Sequence, residues 1–267
     1  MIALVTGASS GIGATTARRL AREPGARLVL VARREEQLNA LARELGVPTT
    51  VIAADLLDDD TPSHIADVIE REHGRLDLLV NNAGAGWRGR FAETGYEHVR
   101  RHMAINFDAA LRVTEALLPI LRRSAPSAIV NVASVAGRVS RANSAAYSAS
   151  KFALIGWSDG LHLEERPHGV HVGLVLPGFV ATEGFPQREL RERALTRRLV
   201  SSPDKVAEAI VDAGLRGKAE RYVPRPYWFA AALRQLAPAL VRRATGGGTA
   251  MTPSTGADRQ PMATSGR

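Results

Sequence analysis

Tyr147 and Lys151 stand four residues apart in the run Tyr147-Ser148-Ala149-Ser150-Lys151. On a helix that spacing places two side chains on one face, so a phenol and an ammonium can reach one point. A phenol titrates near about 10 and is a poor base at neutral pH, but a neighbouring ammonium stabilises the phenolate and lowers that value. The pair is therefore expected to exchange a proton with a bound oxygen, the lysine activating the tyrosine. The choice of lysine is itself informative, because of 35 basic residues only Lys151, Lys205 and Lys218 are lysines. Ser134, thirteen residues before Tyr147, could hold the same oxygen or simply begin a loop. Asn106 falls inside a helical pattern, where asparagine is mildly unfavourable, and could hold a water near Lys151 to pass protons.

A second constellation lies near the start of the chain. Thr6-Gly7-Ala8-Ser9-Ser10-Gly11-Ile12-Gly13 directly follows an apolar run and opens a helical pattern. Glycines allow a tight turn and a close approach of backbone to a pyrophosphate, whose charge the free N–H groups and dipole of a helix start favour. A dinucleotide site usually carries, about 20 residues further on, a carboxylate for the ribose or an arginine for a 2′-phosphate. Here that place reads Val31-Ala32-Arg33-Arg34, with no carboxylate. Arg33, with Arg34 and Ser9, therefore points to NADP(H) in preference to NAD(H). Asp55, followed by Leu56, could accept from an adenine amine or cap the next turn. Asn81-Asn82-Ala83-Gly84 closes another apolar run, where the asparagines are expected to tie strands together and border the ribose.

These residues need a scaffold that brings separate strand ends to one edge. Short β-branched runs at 2–6, 27–32, 49–54, 76–80, 127–133, 170–176 and 220–223 alternate with helical patterns near 12–23, 35–45, 62–73, 95–123, 145–165 and 203–216. The pattern predicts an α/β fold, a Rossmann-like doubly wound sandwich with a seven-stranded parallel sheet in a single domain. Runs such as Leu28-Val29-Leu30-Val31 are apolar on both faces, as a covered sheet requires. The piece from Phe179 to Ser202 shows no strand pattern and is expected to form a lid. Residues 1–225 form the catalytic domain in this reading, 226–244 an amphipathic helical extension with a basic face, and 245–267 a disordered tail.

The 267 residues contain no cysteine, which excludes a disulfide framework, a thiol nucleophile and a thiolate metal site. None of the seven histidines has zinc-type spacing, so no metal is expected. The net charge of +8 is carried by arginines scattered along helix faces, and the aromatic content is low, so no nucleic-acid partner is expected. No apolar stretch approaches a membrane span, and no leader is expected ahead of the first strand. The expected location is cytoplasmic, with peripheral membrane contact by the C-terminal helix left open.

Taken in order and at these spacings, the motifs resemble those of the short-chain dehydrogenase/reductase family over about residues 1–225, with Pro177-Gly178-Phe179-Val180-Ala181-Thr182 as a further match. The resemblance implies a catalytic tetrad of Asn106, Ser134, Tyr147 and Lys151, with Lys151 also on the nicotinamide ribose. It further implies that Pro177, Gly178, Val180 and Thr182 meet the nicotinamide, and that the chain forms a homodimer or homotetramer through the helices holding Asn106 and Tyr147. The expected activity is hydride transfer between NADP(H) and a ketone or secondary alcohol, with a lean towards carbonyl reduction. Trp87, the 138–144 loop, Phe179 and Phe185 suggest a hydrophobic small-molecule substrate. The rival expectation is a non-catalytic NADP(H)-binding regulator or scaffold with a basic surface, for which an intact tetrad would have no use.

Overall fold

The computed structural model describes residues 1–180 and 200–246. Seven parallel strands form one sheet: β1 (Ile2–Thr6), β2 (Arg27–Ala32), β3 (Thr49–Ala53), β4 (Leu78–Asn81), β5 (Ser127–Val132), β6 (Val170–Pro177) and, at the far edge, β9 (Glu220–Val223). Their order is β3-β2-β1-β4-β5-β6-β9, so the winding reverses between β1 and β4. Crossovers leaving in opposite directions at such a point open a crevice at the carboxyl ends of the strands. The Gly7 turn, Asn81, Ser134 and Pro177 all lie at that edge.

Successive side chains of a strand point to opposite faces, and here both faces are apolar. Ala3, Val5, Leu28, Leu30, Leu78 and Val80 face one layer, packed against α1 (Gly11–Leu20), α2 (Glu35–Leu45) and α7 (Pro203–Gly214) through Leu20, Leu38 and Ile210. Leu4, Val29, Val31, Leu79 and Ile129 face the other, against α3 (Thr61–Glu72), α5 (Ala109–Arg123) and α6 (Ala145–Glu165) through Ile69, Leu117 and Leu161. Each fully buried leucine or isoleucine contributes about 1.5–3 kcal/mol of apolar transfer.

A polar ladder crosses the second layer. The Asn81 amide donates to Asn131 Oδ1 at 2.9 Å and to Thr114 Oγ1 at 3.0 Å, and the Asn131 amide donates to Ser158 Oγ at 2.8 Å. It joins β4 to β5, α5 and α6 far from water. Buried amides of this kind cost free energy unless paired, so the ladder accepts only one relative placement of these four elements.

Three sequence expectations need correction. The helix expected over 95–123 begins earlier, as α4 (Phe91–Met103) with a break at Gly95 (φ 65°), and passes through a π turn at Ala104–Asp108 before α5. The piece from Phe179 to Ser202 has strand structure after all: β7 (Phe179–Val180) pairs with β8 (Val200–Ser201) in a separate two-stranded sheet. Two-residue strands are too short to show an alternating pattern. The extension expected as one helix over 226–244 is two, α8 (Tyr227–Leu236) and α9 (Pro238–Gly246), because Pro238 has no N–H to continue the first. Thr182, Phe185 and the body of the expected lid lie outside the described residues, as does the tail expected to be disordered over 245–267 from 247 onward; its first two residues instead end α9.

Replacing Asn131 with alanine removes one of the two bonds of the Asn81 amide and the bond that ties β5 to Ser158 of α6. We expect a loss of about 1–3 kcal/mol of stability, read as a lower urea midpoint at unchanged slope; an unmoved midpoint would contradict the ladder's role.

Candidate active site

The glycine turn is built by close approach. Gly7 has φ +66°, and a Cβ there would meet Ala83 Cα at 2.9 Å. A Cβ on Gly13 would collide with the Gly7 carbonyl oxygen. Asn82 holds the turn against β4 by donating its amide to Thr6 O at 2.9 Å, while its backbone N–H donates to Thr6 Oγ1 at 3.0 Å. Ser10 precedes α1 with extended backbone, and its hydroxyl makes no capping bond. The first-turn N–H groups of Gly11, Ile12 and Gly13 therefore have no side-chain acceptor of their own, which suits an anionic pyrophosphate at this helix start.

At the end of β2, Arg34 donates to Ser9 Oγ at 3.2 and 3.1 Å, tying it to the glycine turn. Arg33 is exposed and lies 3.5 Å from Asp55 Oδ2. Of the two roles open to Asp55, the described geometry includes the turn cap: Oδ1 accepts from the Leu57 N–H at 3.1 Å. Leu56 beside it is buried. Two guanidinium groups and one hydroxyl thus gather where an adenosine ribose would end, and their donors fit a 2′-phosphate.

Tyr147 and Lys151 lie in the first two turns of α6, and Ser134 stands two residues past the end of β5. The Ser134 hydroxyl accepts from the Ala136 N–H at 3.1 Å and donates across 3.3 Å to Pro177 O. The Tyr147 phenol lies close enough to this hydroxyl for the serine to favour the phenolate. A hydroxyl has one proton to give, so the long bond to Pro177 is the one that can yield when another oxygen arrives. Lys151 is only 4% exposed, and its Nζ donates to Val132 O at 2.9 Å. Burial pulls the ammonium down to about 8.

Gly84 shows why the strand-end motif closes on glycine. A Cβ there would lie 2.6 Å from Asn106 Oδ1 and 3.5 Å from Lys151 Nζ. Asn106 sits in the π turn, where its Oδ1 accepts from the Ala85 N–H at 3.0 Å and its amide donates to Ala85 O at 2.8 Å. Both ends of the side chain that sequence placed on a water are engaged by Ala85, and one extra residue in the helix turns the amide towards that loop. Insertions of this kind recur at functional sites.

The electrostatics depart from the sequence expectation. Burial pushes the Tyr147 phenol above its ordinary value; Ser134 and the positive charge of Arg141 pull the other way. The cation that bears on the phenol is Arg141, in the 138–144 loop, rather than Lys151. Sequence reasoning also missed His102, which is fully buried with its ring 6.2 Å from that of Tyr147, edge to face. Its Nδ1 bonds His98 O at 2.8 Å and its Nε2 accepts from the Trp87 N–H at 3.1 Å, an arrangement that needs the neutral ring; burial likewise lowers its pKa. His102 thereby ties the loop after Gly84 to the helix beneath Tyr147. The Trp87 ring lies 3.8 Å beneath the Arg101 guanidinium.

Pro177 and Gly178 border the same edge. A Cβ on Gly178 would collide with the Tyr227 ring, so α8 begins against the site. Val180 is buried in β7.

A family model described as short chain dehydrogenase matches residues 1–193. The chain is 32% identical over 212 residues to an oxidoreductase of Staphylococcus epidermidis, covering 79% of this chain and 90% of that protein. It is 33% identical over 264 residues to dehydrogenase/reductase SDR family member 7B of Bos taurus, covering 91% and 79%. It is 35% identical over 214 residues to the ketoacyl reductase HetN of a Nostoc strain, covering 79% and 74%.

A buried lysine with a lowered pKa has a definite stability signature. Between about pH 8 and the ordinary lysine value of 10.5 the unfolded chain holds a proton that the folded chain has released, so stability rises with pH in that window. Unfolding of the wild type measured against Lys151→Met should show this relative gain from pH 8 to 10; a flat or falling difference would mean that the ammonium is not desolvated.

Proposed function

The chain belongs to the short-chain dehydrogenase family and is an oxidoreductase; on that premise we propose that it transfers hydride between NADP(H) and a ketone or secondary alcohol of a hydrophobic small molecule, Tyr147 acting as general acid and base. The observation that carries this reading is the convergence, at the carboxyl end of β5, of Ser134, bonded to Pro177 O, and of the first turns of α6, where Lys151 bonds Val132 O and Tyr147 stands one turn before it, across the crevice from the glycine turn. NADP(H), when bound, supplies or accepts the hydride at its nicotinamide.

The protein's residues handle the oxygen. Ser134 orients the carbonyl by turning its proton from Pro177 O to the substrate, and Tyr147 delivers its own proton as the carbon accepts hydride. Burial holds the phenol above its ordinary pKa, so it is protonated at neutral pH and better suited to give a proton than to take one. That direction favours carbonyl reduction, as does a preference for NADPH. Lys151 and Asn106 close the inner wall, and in the family's pattern Lys151 also holds the nicotinamide ribose. The Nostoc relative carries the name of a ketoacyl reductase, which agrees with a carbonyl substrate here.

We assign residues 1–225 to the catalytic domain and the rest to an extension. The outer faces of α5 and α6 form a groove of about 420 Å³ whose lining includes Leu111, Leu118, Pro119 and Trp157. Its apolar lining supports a homodimer or homotetramer built through these helices. No described helix is long and apolar enough to cross a membrane, and a cytoplasmic location is part of the proposal. On α8 and α9, Trp228, Phe229, Leu236 and Leu240 are exposed.

Turnover of a panel of apolar ketones with NADPH tests the reaction. Tyr147→Phe should lower kcat by about 10²–10⁴-fold with NADPH affinity unchanged; undiminished turnover would sink the acid/base role, and absence of wild-type turnover across ketones and alcohols would favour a non-catalytic NADP(H)-binding regulator. Removing the charge of Arg33 or Arg34 by substitution with alanine should weaken NADPH binding about tenfold or more and leave NADH binding little changed, as read by fluorescence titration. Equal loss for both cofactors would overturn the 2′-phosphate assignment.

A further inference from the structure

Arg141 has no place in the mechanism above, yet it lies among its parts. It precedes Tyr147 by six residues in the 138–144 loop, and its guanidinium sits 4.6 Å over the ring of Phe179, which directly follows Pro177 and Gly178. Tyr227 packs on Gly178 from the other side. The Gly89 N–H donates to Asn143 O at 3.0 Å, clamping the loop after Gly84 onto the 138–144 loop. That clamp brings Arg88 close enough for its charge to bear on Arg141.

Two guanidinium groups are thus held near each other and near a phenol. Many of the described arginines pair with carboxylates, as in Arg18 with Glu44, Arg122 with Glu165 and Arg138 with Glu220, and others, such as Arg43 and Arg101, do not. Among the described residues no carboxylate lies within ion-pair distance of Arg141 or Arg88. Arg141 is exposed at this end of the crevice; partial desolvation and the charge of Arg88 lower its pKa, while Tyr227 and Tyr147 pull the other way. Stacking on Phe179 fixes the guanidinium plane and leaves its N–H edge for a ligand, the geometry in which arginine takes two oxygens at once.

We propose that Arg141, with Arg88 beside it, forms an anion subsite at the substrate end of the crevice, so that the molecule presented to Tyr147 carries a carboxylate or phosphate on an apolar body. The inference rests on the reading of this crevice as the carbonyl site and narrows its substrate class: an acidic ketone pairs with the two cations, whereas a purely apolar one offers them no partner. Phe179 and Tyr227 then flank the apolar part next to the charged group.

Calorimetric titration of the full chain with decanoate, decyl phosphate and decan-1-ol tests it, since the three share one apolar length. At least one anionic probe should bind tenfold or more tighter than decanol, and the tighter of the two identifies the group recognised. Arg141→Gln should bring that probe to parity with decanol, Arg88→Gln should remove part of the preference, and Arg43→Gln, on an exposed face of α2, should change nothing. Arg141→Lys retains the charge and should keep part of the preference, which separates a lost subsite from a misfolded loop. Parity in the wild type, or a preference that survives Arg141→Gln, would overturn the subsite. Anion preference in a chain that turns over no ketone would leave the subsite standing and remove the reaction; turnover of ketones with parity between probes would do the reverse.

Discussion

An ammonium taken out of water costs several kcal/mol unless the protein supplies oxygen partners and a reason to keep it, and the active edge of this fold is arranged around one. Lys151 reaches it from the second turn of α6, with Val132 O as its acceptor. For that bond to form, α6 must cross the end of β5 at one height. Gly84 must lack a side chain, because Asn106 Oδ1 occupies the space where one would begin, with Lys151 Nζ in contact beside it. The π turn that aims Asn106 at Ala85 and the ladder from Asn81 to Ser158 then keep β4, β5, α5 and α6 in that arrangement. Tyr147 is positioned as a consequence, one helical turn before the lysine.

Placement also decides how the phenol behaves. The spacing of Tyr147 and Lys151 suggests that a cation four residues away sets the phenol's acidity, but the lysine's head turns into the protein, towards Val132, and the phenol answers to burial, Ser134 and Arg141 instead. In the proposed reaction the two residues divide the work: the tyrosine meets the oxygen of the substrate, while the lysine faces the strand ends and the loop where a ribose would lie. A half-buried phenol with a raised pKa, beside a serine whose bond to Pro177 is long, suits the giving of a proton in that reaction.

The sheet is legible in the sequence because a parallel strand covered on both faces must be apolar at every position, and β1, β2 and β5 are nearly so. The glycine turn and the Tyr147–Lys151 pair are legible because few residue types can satisfy those backbone and proton-transfer demands. What stays hidden lacks contrast. A π turn adds one residue without disturbing the helical pattern on either side, so the orientation of Asn106 cannot be read in advance. Arg141 is one more arginine in a chain that uses arginine nearly everywhere, and its seat over Phe179, beside Pro177 and Gly178, shows only in the fold. His102 is one of seven histidines, and its contact with Tyr147 depends on the break at Gly95 and the path of the loop through Trp87.

The central claim is a division of labour in which carbon receives its hydrogen from the cofactor and oxygen receives its proton through Tyr147. The most direct test follows the label: a ketone is reduced with NADPH carrying deuterium at both C4 positions of the nicotinamide, in ordinary water, and the alcohol is examined by mass spectrometry. One deuterium on the carbinol carbon, and none there when unlabelled NADPH is used in heavy water, is the predicted result. An unlabelled carbinol carbon in the first experiment, or a carbinol carbon that takes its hydrogen from solvent in the second, would contradict the account.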